Sequence, residues 1–266
     1  MTASPYQTLN VATDSRGVTC VTLDRPDVLN AMDESMIAEI ADVFDAIAAD
    51  PNTRVVILAA AGRAFCAGAD LRWMERASVN DEQANLDDAR RFANMMLVLQ
   101  SCPKPVIARV HGAALGGGVG LLCACDIVVS VPQATFSVSE AKFGILPAVI
   151  GPYLTNALGK RHALNLALTA EVIEGLRAAE IGLVHTLVEA EELDAAIEDI
   201  VGKLLRNGPN ALGEVKCWFG QLQVGPVEAK VRDKSARIIA RVRCTDEARE
   251  GFAAFLGKRS ASWVQS

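Results

Sequence analysis

Two uninterrupted apolar runs, each followed by a loop of very small residues, constrain the fold of this chain more than any other feature. The runs are Val55–Ala60 and Val106–Val110, and such runs are typical of strands buried on both faces of a parallel sheet. Segments with apolar residues at helical spacing, Asp33–Ala49 and Asp81–Gln100, precede them. Strands that alternate with helices pair in parallel through right-handed crossovers. The sequence therefore predicts an α/β fold.

Further strands are predicted on either side of these runs. Leu9–Ala12 and Val18–Leu23 flank a turn and form a predicted β-hairpin. Ile127–Ser130 and Thr135–Ser137 follow a short apolar helix that ends at Cys125. The predicted strands thus cover the amino-terminal half of the chain.

The carboxyl-terminal part has a different pattern. The strand signal fades near residue 188, and helical periodicity continues from there to the end. We therefore predict an α/β region over residues 1–190 and a helical region over residues 191–266. The helical region carries apolar faces that the body of the protein or another subunit has to cover, and these comprise Ile197, Val201, Leu204, Phe252, Phe255 and Leu256.

Composition excludes several classes of protein. Hydrophobic residues make up 51% of the chain and charged residues 22%, which excludes disordered and collagen-like chains. The least polar stretch, Gly112–Cys125, is too short and glycine-rich to cross a bilayer, and the first ten residues show no secretory signal. A net charge of −6 without a basic cluster argues against a nucleic-acid partner. We expect a cytoplasmic protein with neither a membrane nor a nucleic acid as partner.

Cysteines and histidines exclude further chemistry. The seven cysteines are odd in number and irregular in spacing, which favours buried thiols in a reducing compartment. Cys123 and Cys125 have no partner motif that would complete a zinc site, so we predict no metal centre. The motifs of zincins, α/β-hydrolases, P-loop enzymes and dinucleotide-binding folds are absent. His111 precedes a glycine turn, where a hydrogen-bonded loop histidine is favoured over a catalytic base.

The two small-residue loops are the strongest candidates for a functional site. Ala64–Asp70 follows the first apolar run, and His111–Gly118 follows the second. The carboxyl ends of parallel strands are where such sheets place ligand sites, and small residues let a ligand approach the backbone. Each loop can direct one backbone N–H at the same developing oxyanion. Close packing of helix on strand is the alternative explanation for the glycines.

Several motifs, taken together and in order, resemble the crotonase, or enoyl-CoA hydratase/isomerase, superfamily. The motifs are Asn30-Ala31, Phe65–Asp70, Pro103–Val106, Gly112–Gly118, Cys125–Ile127 and Phe143–Pro147. The resemblance implies a crotonase-like spiral of ββα units, followed by a helical carboxyl-terminal trimerisation region. It also implies an acyl-CoA thioester substrate, a homotrimer or a dimer of trimers, and no cofactor beyond the coenzyme A of the substrate.

The resemblance also assigns residues to roles. The backbone N–H groups of Ala69 and Gly117 would form the oxyanion hole, and Glu140 would be the general acid and base. Apolar neighbours would raise the pKa of Glu140, which Lys142 would oppose. The residues expected to bind coenzyme A are Arg25, Val28, Ala67, Asp70, Leu71, Arg72 and, near the carboxyl terminus, Lys258.

The sequence departs from the family pattern at one position. Hydratases of the family carry a second glutamate, which would fall at residue 120, where this chain has Gly120. A single carboxylate is enough for an isomerase, whereas a hydratase then has to use Glu140 both to activate water and to protonate carbon. A non-catalytic relative that binds coenzyme A or RNA is the third alternative.

Finer details resemble one hydratase subgroup. The stretches Gly116–Leu121, Gly144–Tyr153 and Asp70–Met74 are similar to those of methylglutaconyl-CoA and isohexenylglutaconyl-CoA hydratases, of leucine or isovalerate and acyclic terpene catabolism. Their substrates carry a second carboxylate, which a glutamate at position 120 would repel. On this interpretation Gly120 removes the repulsion and adds room for a branched acyl chain, so the expected activity is hydration of a branched 2-enoyl-CoA.

Overall fold

The computed structural model of the chain describes residues 6–264. The strands are β1 (Leu9–Thr13), β2 (Val18–Leu23), β3 (Val55–Ala60), β4 (Ala64–Cys66), β5 (Val106–Val110), β6 (Ala113–Leu115), β7 (Ile127–Ser130), β8 (Thr135–Ser137), β9 (Ile173–Glu174) and β10 (Thr186–Leu187). The helices are α1 (Glu34–Ala49), α2 (Leu71–Ala77), α3 (Glu82–Ser101), α4 (Gly117–Ala124), α5 (Gly151–Thr169), α6 (Gly175–Glu180), α7 (Leu193–Leu205), α8 (Pro209–Phe219), α9 (Ala229–Arg243) and α10 (Asp246–Leu256).

Two stacked series of strands confirm the predicted α/β spiral. A six-stranded sheet has the order β1-β2-β3-β5-β7-β10, in which the β1–β2 pair is antiparallel and the other pairs are parallel. A four-stranded sheet has the order β4-β6-β8-β9, with β4, β6 and β8 parallel. The chain enters the large sheet and then the small one three times, as β3–β4, β5–β6 and β7–β8. Each turn of the spiral thus contributes one strand to each sheet.

Local chemistry explains where the predicted helices begin. Asp33 caps α1 by accepting a hydrogen bond from the Met36 N–H, and Asp81 caps α3 through the Ala84 N–H. Both caps satisfy N–H groups that have no partner within the helix. The apolar face of α1, including Ile40 and Phe44, is fully buried in the core that the large sheet also forms.

The structure corrects two expectations about loops. The sequence predicts the small-residue segments Ala64–Asp70 and His111–Gly118 as loops, but they contain the strands β4 and β6. These strands have only three residues each, so no periodic pattern can develop in them. Their pairing with each other and with β8 creates the small sheet.

Among the described helices of the carboxyl-terminal part, α7 alone contributes fully buried residues to the main core. Helix α7 buries Leu193, Ile197 and Val201 in the core formed by the strands. Helix α8 is held by Lys216, whose Nζ lies 2.6 Å from Asp126 Oδ2 and donates to the Lys104 carbonyl at 2.8 Å. No helix within residues 6–264 has the length and apolar character needed to span a membrane.

Candidate active site

The carboxyl ends of three adjacent parallel strands converge on one site. Ala69 follows β4, Gly117 follows β6 and Glu140 follows β8, and these three strands are neighbours in the small sheet. Because parallel strands end at the same edge of a sheet, all three residues lie together. The two short strands that the sequence did not predict are therefore the elements that assemble the site.

Two backbone N–H groups at this edge have no acceptor within residues 6–264. Met32 forms a parallel bridge with Ala69, in which the Met32 N–H donates to the Gly68 carbonyl and the Asp70 N–H donates to the Met32 carbonyl. This pattern turns the N–H of Ala69 itself away from Met32. Gly117 is the first residue of α4, where an N–H has no partner within the helix.

Two glycines allow the loops to come this close. Gly68 has a φ of +91°, and a Cβ there would lie 2.8 Å from the Leu115 carbonyl oxygen and 3.7 Å from the Gly117 nitrogen. Gly116 has a φ of +49°, and a Cβ there would lie 3.1 Å from Glu140 Oε1. Both positions therefore combine a left-handed backbone with a lack of space for a side chain. The free N–H groups of Ala69 and Gly117 end up beside each other and beside Glu140.

Glu140 is a half-buried carboxylate with spare hydrogen-bonding capacity. Its Oε2 is shielded from solvent and has no hydrogen-bond partner among the described residues. Burial raises the pKa of Glu140, and no charged neighbour among residues 6–264 opposes this effect. Lys142 is exposed and does not contribute, contrary to the expectation from its position in the sequence. A desolvated carboxylate of this kind is suited to accepting and returning a proton.

Apolar side chains enclose the first turn of α4. A Cβ at Gly117 would lie 2.6 Å from Met32 Cε and 3.2 Å from Phe92 Cζ. A Cβ at Gly120 would lie 2.4 Å from Ile150 Cγ2 and 3.5 Å from Met96 Cε. The extra room that the sequence suggested at Gly120 is thus already filled, by Ile150 above all. The wall beside Glu140 is apolar on this side.

A pocket of about 660 Å³ lies next to Ala69. It is formed by the segment after β2 and the segment after β3, which are neighbouring parallel strands of the large sheet. The residues that line it are Arg25, Pro26, Asp27, Val28, Leu29, Ala31, Arg63, Ala67, Ala69, Asp70, Leu71 and Arg72. The structure therefore brings together seven residues that the sequence analysis assigned to the oxyanion hole or to coenzyme A. Lys258 is exposed beyond α10 and does not line this pocket.

The arginines of this pocket differ in their partners. The guanidinium of Arg25 is already paired with two carboxylates, since its Nη2 lies 3.0 Å from Asp33 Oδ2 and 3.1 Å from Asp70 Oδ2. Arg63 and Arg72 are exposed, and within the described part of the chain neither side chain forms an ion pair. Arg63 and Arg72 are consequently the cations available to a phosphate, whereas Arg25 holds the two loops together.

Asn30 joins the two loops that form this pocket, although its sequence position alone suggested no role for its side chain. Asn30 is fully buried with a φ of +55°, a conformation that asparagine tolerates better than most residues. Its Nδ2 donates to the carbonyls of Ala61 and Ala64 at 2.8 and 2.9 Å, and its Oδ1 accepts from the Arg25 N–H at 2.8 Å. Asn30 thereby joins the loop after β2 to the loop after β3. Arg63 was also missed, although it immediately precedes the first small-residue loop.

Within residues 6–264, neither His111 nor a metal cluster contributes to this site. His111 Nε2 lies 2.8 Å from the Gly62 carbonyl oxygen, so this nitrogen carries the proton and donates it to the neighbouring loop. The interpretation of His111 as a hydrogen-bonded loop residue is thus confirmed. Within residues 6–264, no three histidine, cysteine, aspartate or glutamate side chains are arranged to hold a metal ion.

Comparison with models of known protein families identifies the family of this chain. The sequence model of the enoyl-CoA hydratase/isomerase family matches residues 13–266, which is nearly the whole chain. The chain therefore belongs to the enoyl-CoA hydratase/isomerase family.

Similarity to individual proteins supports this membership. The crystal structure of an enoyl-CoA hydratase from Shewanella pealeana is 39% identical, with a TM-score of 0.94 over 97% of each chain. The 2,3-dehydroadipyl-CoA hydratase of Escherichia coli is 32% identical over 91% of this chain and 93% of that protein. The crotonyl-CoA hydratase of Syntrophomonas wolfei is 31% identical over 91% of this chain and 92% of that protein. The resemblance to the crotonase superfamily and the crotonase-like fold are both confirmed, whereas the resemblance to the methylglutaconyl-CoA and isohexenylglutaconyl-CoA hydratases stays a prediction.

Proposed function

We propose that this protein adds water to a branched 2-enoyl-CoA of the glutaconyl type, with 3-methylglutaconyl-CoA or isohexenylglutaconyl-CoA as the substrate. One observation carries the proposal: the buried, unpartnered Oε2 of Glu140 lies at the same sheet edge as the free N–H groups of Ala69 and Gly117. A carboxylate beside two preorganised donors is the arrangement that enolate chemistry needs. The chemistry requires no cofactor besides the coenzyme A of the substrate.

The reaction uses Glu140 twice. Its carboxylate accepts a proton from water while the water oxygen attacks C3 of the enoyl group. The electron pair of the double bond moves into the thioester, whose oxygen accepts hydrogen bonds from the N–H groups of Ala69 and Gly117. Glu140 then returns the proton to C2, which yields the 3-hydroxyacyl-CoA and restores the carboxylate. The raised pKa of Glu140 favours this return.

Two observations favour a substrate with a second carboxylate. The neighbours of Gly120 are the apolar side chains of Ile150 and Met96, so no second enzyme carboxylate repels a negatively charged acyl group from that side. The name of the Escherichia coli relative, 2,3-dehydroadipyl-CoA hydratase, denotes an acyl group that also carries a second carboxylate.

The pocket beside Ala69 fits the coenzyme A part of the substrate. Its exposed arginines, Arg63 and Arg72, are available to phosphate groups, and the small residue Ala67 leaves the backbone open to a ligand. A role for Lys258 toward a neighbouring subunit stays a prediction.

Three thioesters distinguish the candidate functions. The purified protein is mixed with crotonyl-CoA, 3-methylglutaconyl-CoA and a 3-enoyl-CoA, and the absorbance of the conjugated enoyl thioester is followed. Its loss with 3-methylglutaconyl-CoA, faster than with crotonyl-CoA, is the expected result. A preference for crotonyl-CoA would contradict the branched substrate, and no change with any thioester would favour a non-catalytic relative.

The role of Glu140 is tested in the same assay. Glu140→Gln should lower turnover about 10²–10⁴-fold, because an amide of similar shape cannot transfer the proton. Glu174→Gln, which alters an exposed carboxylate on the neighbouring strand β9, is the control and should retain full activity. Full activity of a folded Glu140→Gln protein would exclude Glu140 as the acid and base.

Isomerisation is the second candidate, and a specific observation favours it. Glu140 is a single carboxylate without a charged neighbour among the described residues, and moving a double bond requires only one base. A gain of conjugated absorbance from the 3-enoyl-CoA, together with inert 2-enoyl-CoAs, would establish this alternative.

We also propose that the protein assembles as a homotrimer or a dimer of trimers. Phe252, Phe255 and Leu256 of α10 are 56%, 83% and 79% exposed, whereas the apolar face of α7 is covered by the body of the protein. Exposed apolar clusters of this kind favour a protein partner. Light scattering at micromolar concentration should report a multiple of three chains, and a monomer would contradict the proposal.

A further inference from the structure

Glu140 and Ile150, ten positions apart in the sequence, both pack against the first turn of α4. A Cβ at Gly116 would contact Glu140 Oε1 at 3.1 Å, and a Cβ at Gly120 would contact Ile150 Cγ2 at 2.4 Å. Gly116 is the N-cap of α4, and its carbonyl accepts the Gly120 N–H at 3.2 Å, so these two positions bound the first turn of the helix. Glu140 and Ile150 therefore pack against the two ends of the same helical turn.

The position of Ile150 relative to the oxyanion hole defines what it can touch. Gly117 begins this turn of α4 and Glu140 packs at its Gly116 end, so a thioester oxygen bound by the Gly117 N–H would bring C2 and C3 to that end. Ile150 packs at the Gly120 end of the same turn. A branch that extends from C3 along the turn would therefore run toward Ile150.

The Ile150 side chain is a fixed boundary. It is 1% exposed and immediately precedes α5, and its contact atoms are Cγ2 and Cβ, which lie close to the backbone. A β-branched side chain of this kind has little rotamer freedom. Met96 Cε, from α3, also borders the Gly120 position at 3.5 Å. The boundary therefore cannot move aside for a larger acyl group.

We infer that Ile150 is a specificity-determining residue that limits the branch on C3 of the acyl group to a few carbons. This inference rests on the proposed function, and between its two substrates it selects 3-methylglutaconyl-CoA over isohexenylglutaconyl-CoA. Ile150 is not a catalytic residue, because it carries no group that can transfer a proton. It acts by occupying the volume that a longer branch would need.

The test compares two thioesters in three variants. We measure kcat/KM for 3-methylglutaconyl-CoA and for isohexenylglutaconyl-CoA in the unaltered protein and in Ile150→Ala, which removes three side-chain carbons. Ile150→Val, which retains Cγ2, keeps the fold testable if the alanine variant is unstable. The control is Leu154→Ala, because Leu154 is equally buried one turn further along α5 and is not one of the nearest neighbours of the Gly120 position.

The expected result is a change in the ratio of the two substrates. Ile150→Ala should raise kcat/KM for the isohexenyl substrate relative to the methyl substrate at least tenfold, since each methylene in an apolar pocket contributes about 10–200-fold. Ile150→Val should change the ratio in the same direction but less, and Leu154→Ala should leave it unchanged. An equal loss for both substrates in Ile150→Ala would overturn the inference and leave Ile150 a purely structural residue.

A binding measurement separates failure of this inference from failure of the proposed function. Calorimetry is used to compare saturated, unreactive acyl-CoAs with a methyl or a hexyl branch on C3. If no enoyl-CoA is hydrated but Ile150→Ala selectively tightens binding of the hexyl compound, the proposed function is wrong and the inference stands. If hydration occurs but neither the kinetic nor the binding ratio moves, the inference is wrong and the proposed function stands.

Discussion

Replacing Gly120 by alanine tests the packing that closes the site on one side. Within a helix, alanine is favoured over glycine by about 1 kcal/mol. Here the new Cβ would lie 2.4 Å from Ile150 Cγ2 and 3.0 Å from Ile150 Cβ, whereas carbon atoms pack at about 3.5–4.0 Å. Overpacking of this kind costs about 1–3 kcal/mol. Because the overlap is large and Ile150 is stiff, we expect Gly120→Ala to lower the free energy of unfolding by about 1–2 kcal/mol, after the helical gain is counted.

Gly202 provides a matched control. It also lies within a helix, α7, but a Cβ there would have no heavy atom within 4 Å. Gly202→Ala therefore gains the helical preference without an overlap and should raise the free energy of unfolding by about 1 kcal/mol. The two substitutions are chemically identical, so opposite signs would isolate the effect of Ile150.

A double-mutant cycle measures the contact directly. Ile150→Ala removes the Cγ2 atom that blocks the new methyl group, although it leaves a cavity and by itself costs about 2–5 kcal/mol. The Cβ at position 150 remains 3.0 Å from the new methyl group, so in that background Gly120→Ala should be less destabilising than in the unaltered protein, with a coupling of about 1–3 kcal/mol in favour of the double variant. Urea unfolding at one fixed protein concentration gives all four values, since oligomer stability depends on concentration.

Two outcomes would refute this reasoning. Gly120→Ala could prove as stabilising as Gly202→Ala, or the effects of the changes at Gly120 and Ile150 could add without coupling. Either result would mean that the volume beside Gly120 is open in solution. In that case a glutamate would fit at position 120, and the explanation of the single carboxylate would have to change.

Three further predictions concern charge. Glu140→Gln should raise the free energy of unfolding at neutral pH, because burial raises the pKa of this carboxyl. The gain should vanish as the pH falls to the ordinary pKa range of a carboxyl group. A gain that does not depend on pH would contradict this prediction. Burial lowers the pKa of His185, whose Nδ1 accepts the Val128 N–H at 3.0 Å. The free energy of unfolding should therefore fall as the pH drops below 6.5, and urea titration of His185→Gln should show a smaller fall. Arg25→Ala should cost about 2 kcal/mol of stability, as expected for charged hydrogen bonds, whereas Arg63→Ala should raise KM without changing the unfolding midpoint.

The long apolar elements of this fold are predictable from sequence. Val55–Ala60 and Val106–Val110 occur as strands with the predicted bounds, and the helix predicted over Asp33–Ala49 begins at Glu34 with Asp33 as its cap. Continuous burial and helical spacing leave a clear pattern over five or more residues. These elements make up the large sheet and the helices that cover it.

The elements that assemble the site are not predictable in this way. The strands β4 and β6 have three residues each, Ala-Phe-Cys and Ala-Ala-Leu, so they are too short to show alternation, and half of their residues are alanine, which is depleted in strands. They exist because the strands before them fix where the chain enters the small sheet. The site residues Ala69, Gly117 and Glu140 were therefore identified through family resemblance, and the structure explains why they lie at one edge.

The packing around Gly120 is a second feature that the sequence alone does not predict. A glycine in place of a carboxylate suggests open space, but whether the space is filled depends on Ile150, and no periodic pattern relates these two positions. Ile150 Cγ2 lies 2.4 Å from the place where the Cβ of a side chain at position 120 would be, so an apolar group occupies that place. Under the proposed hydration, Glu140 would then serve both proton transfers. A carboxyl whose pKa is raised by burial is suited to this double task, because the group that accepts the proton from water has to release it to carbon.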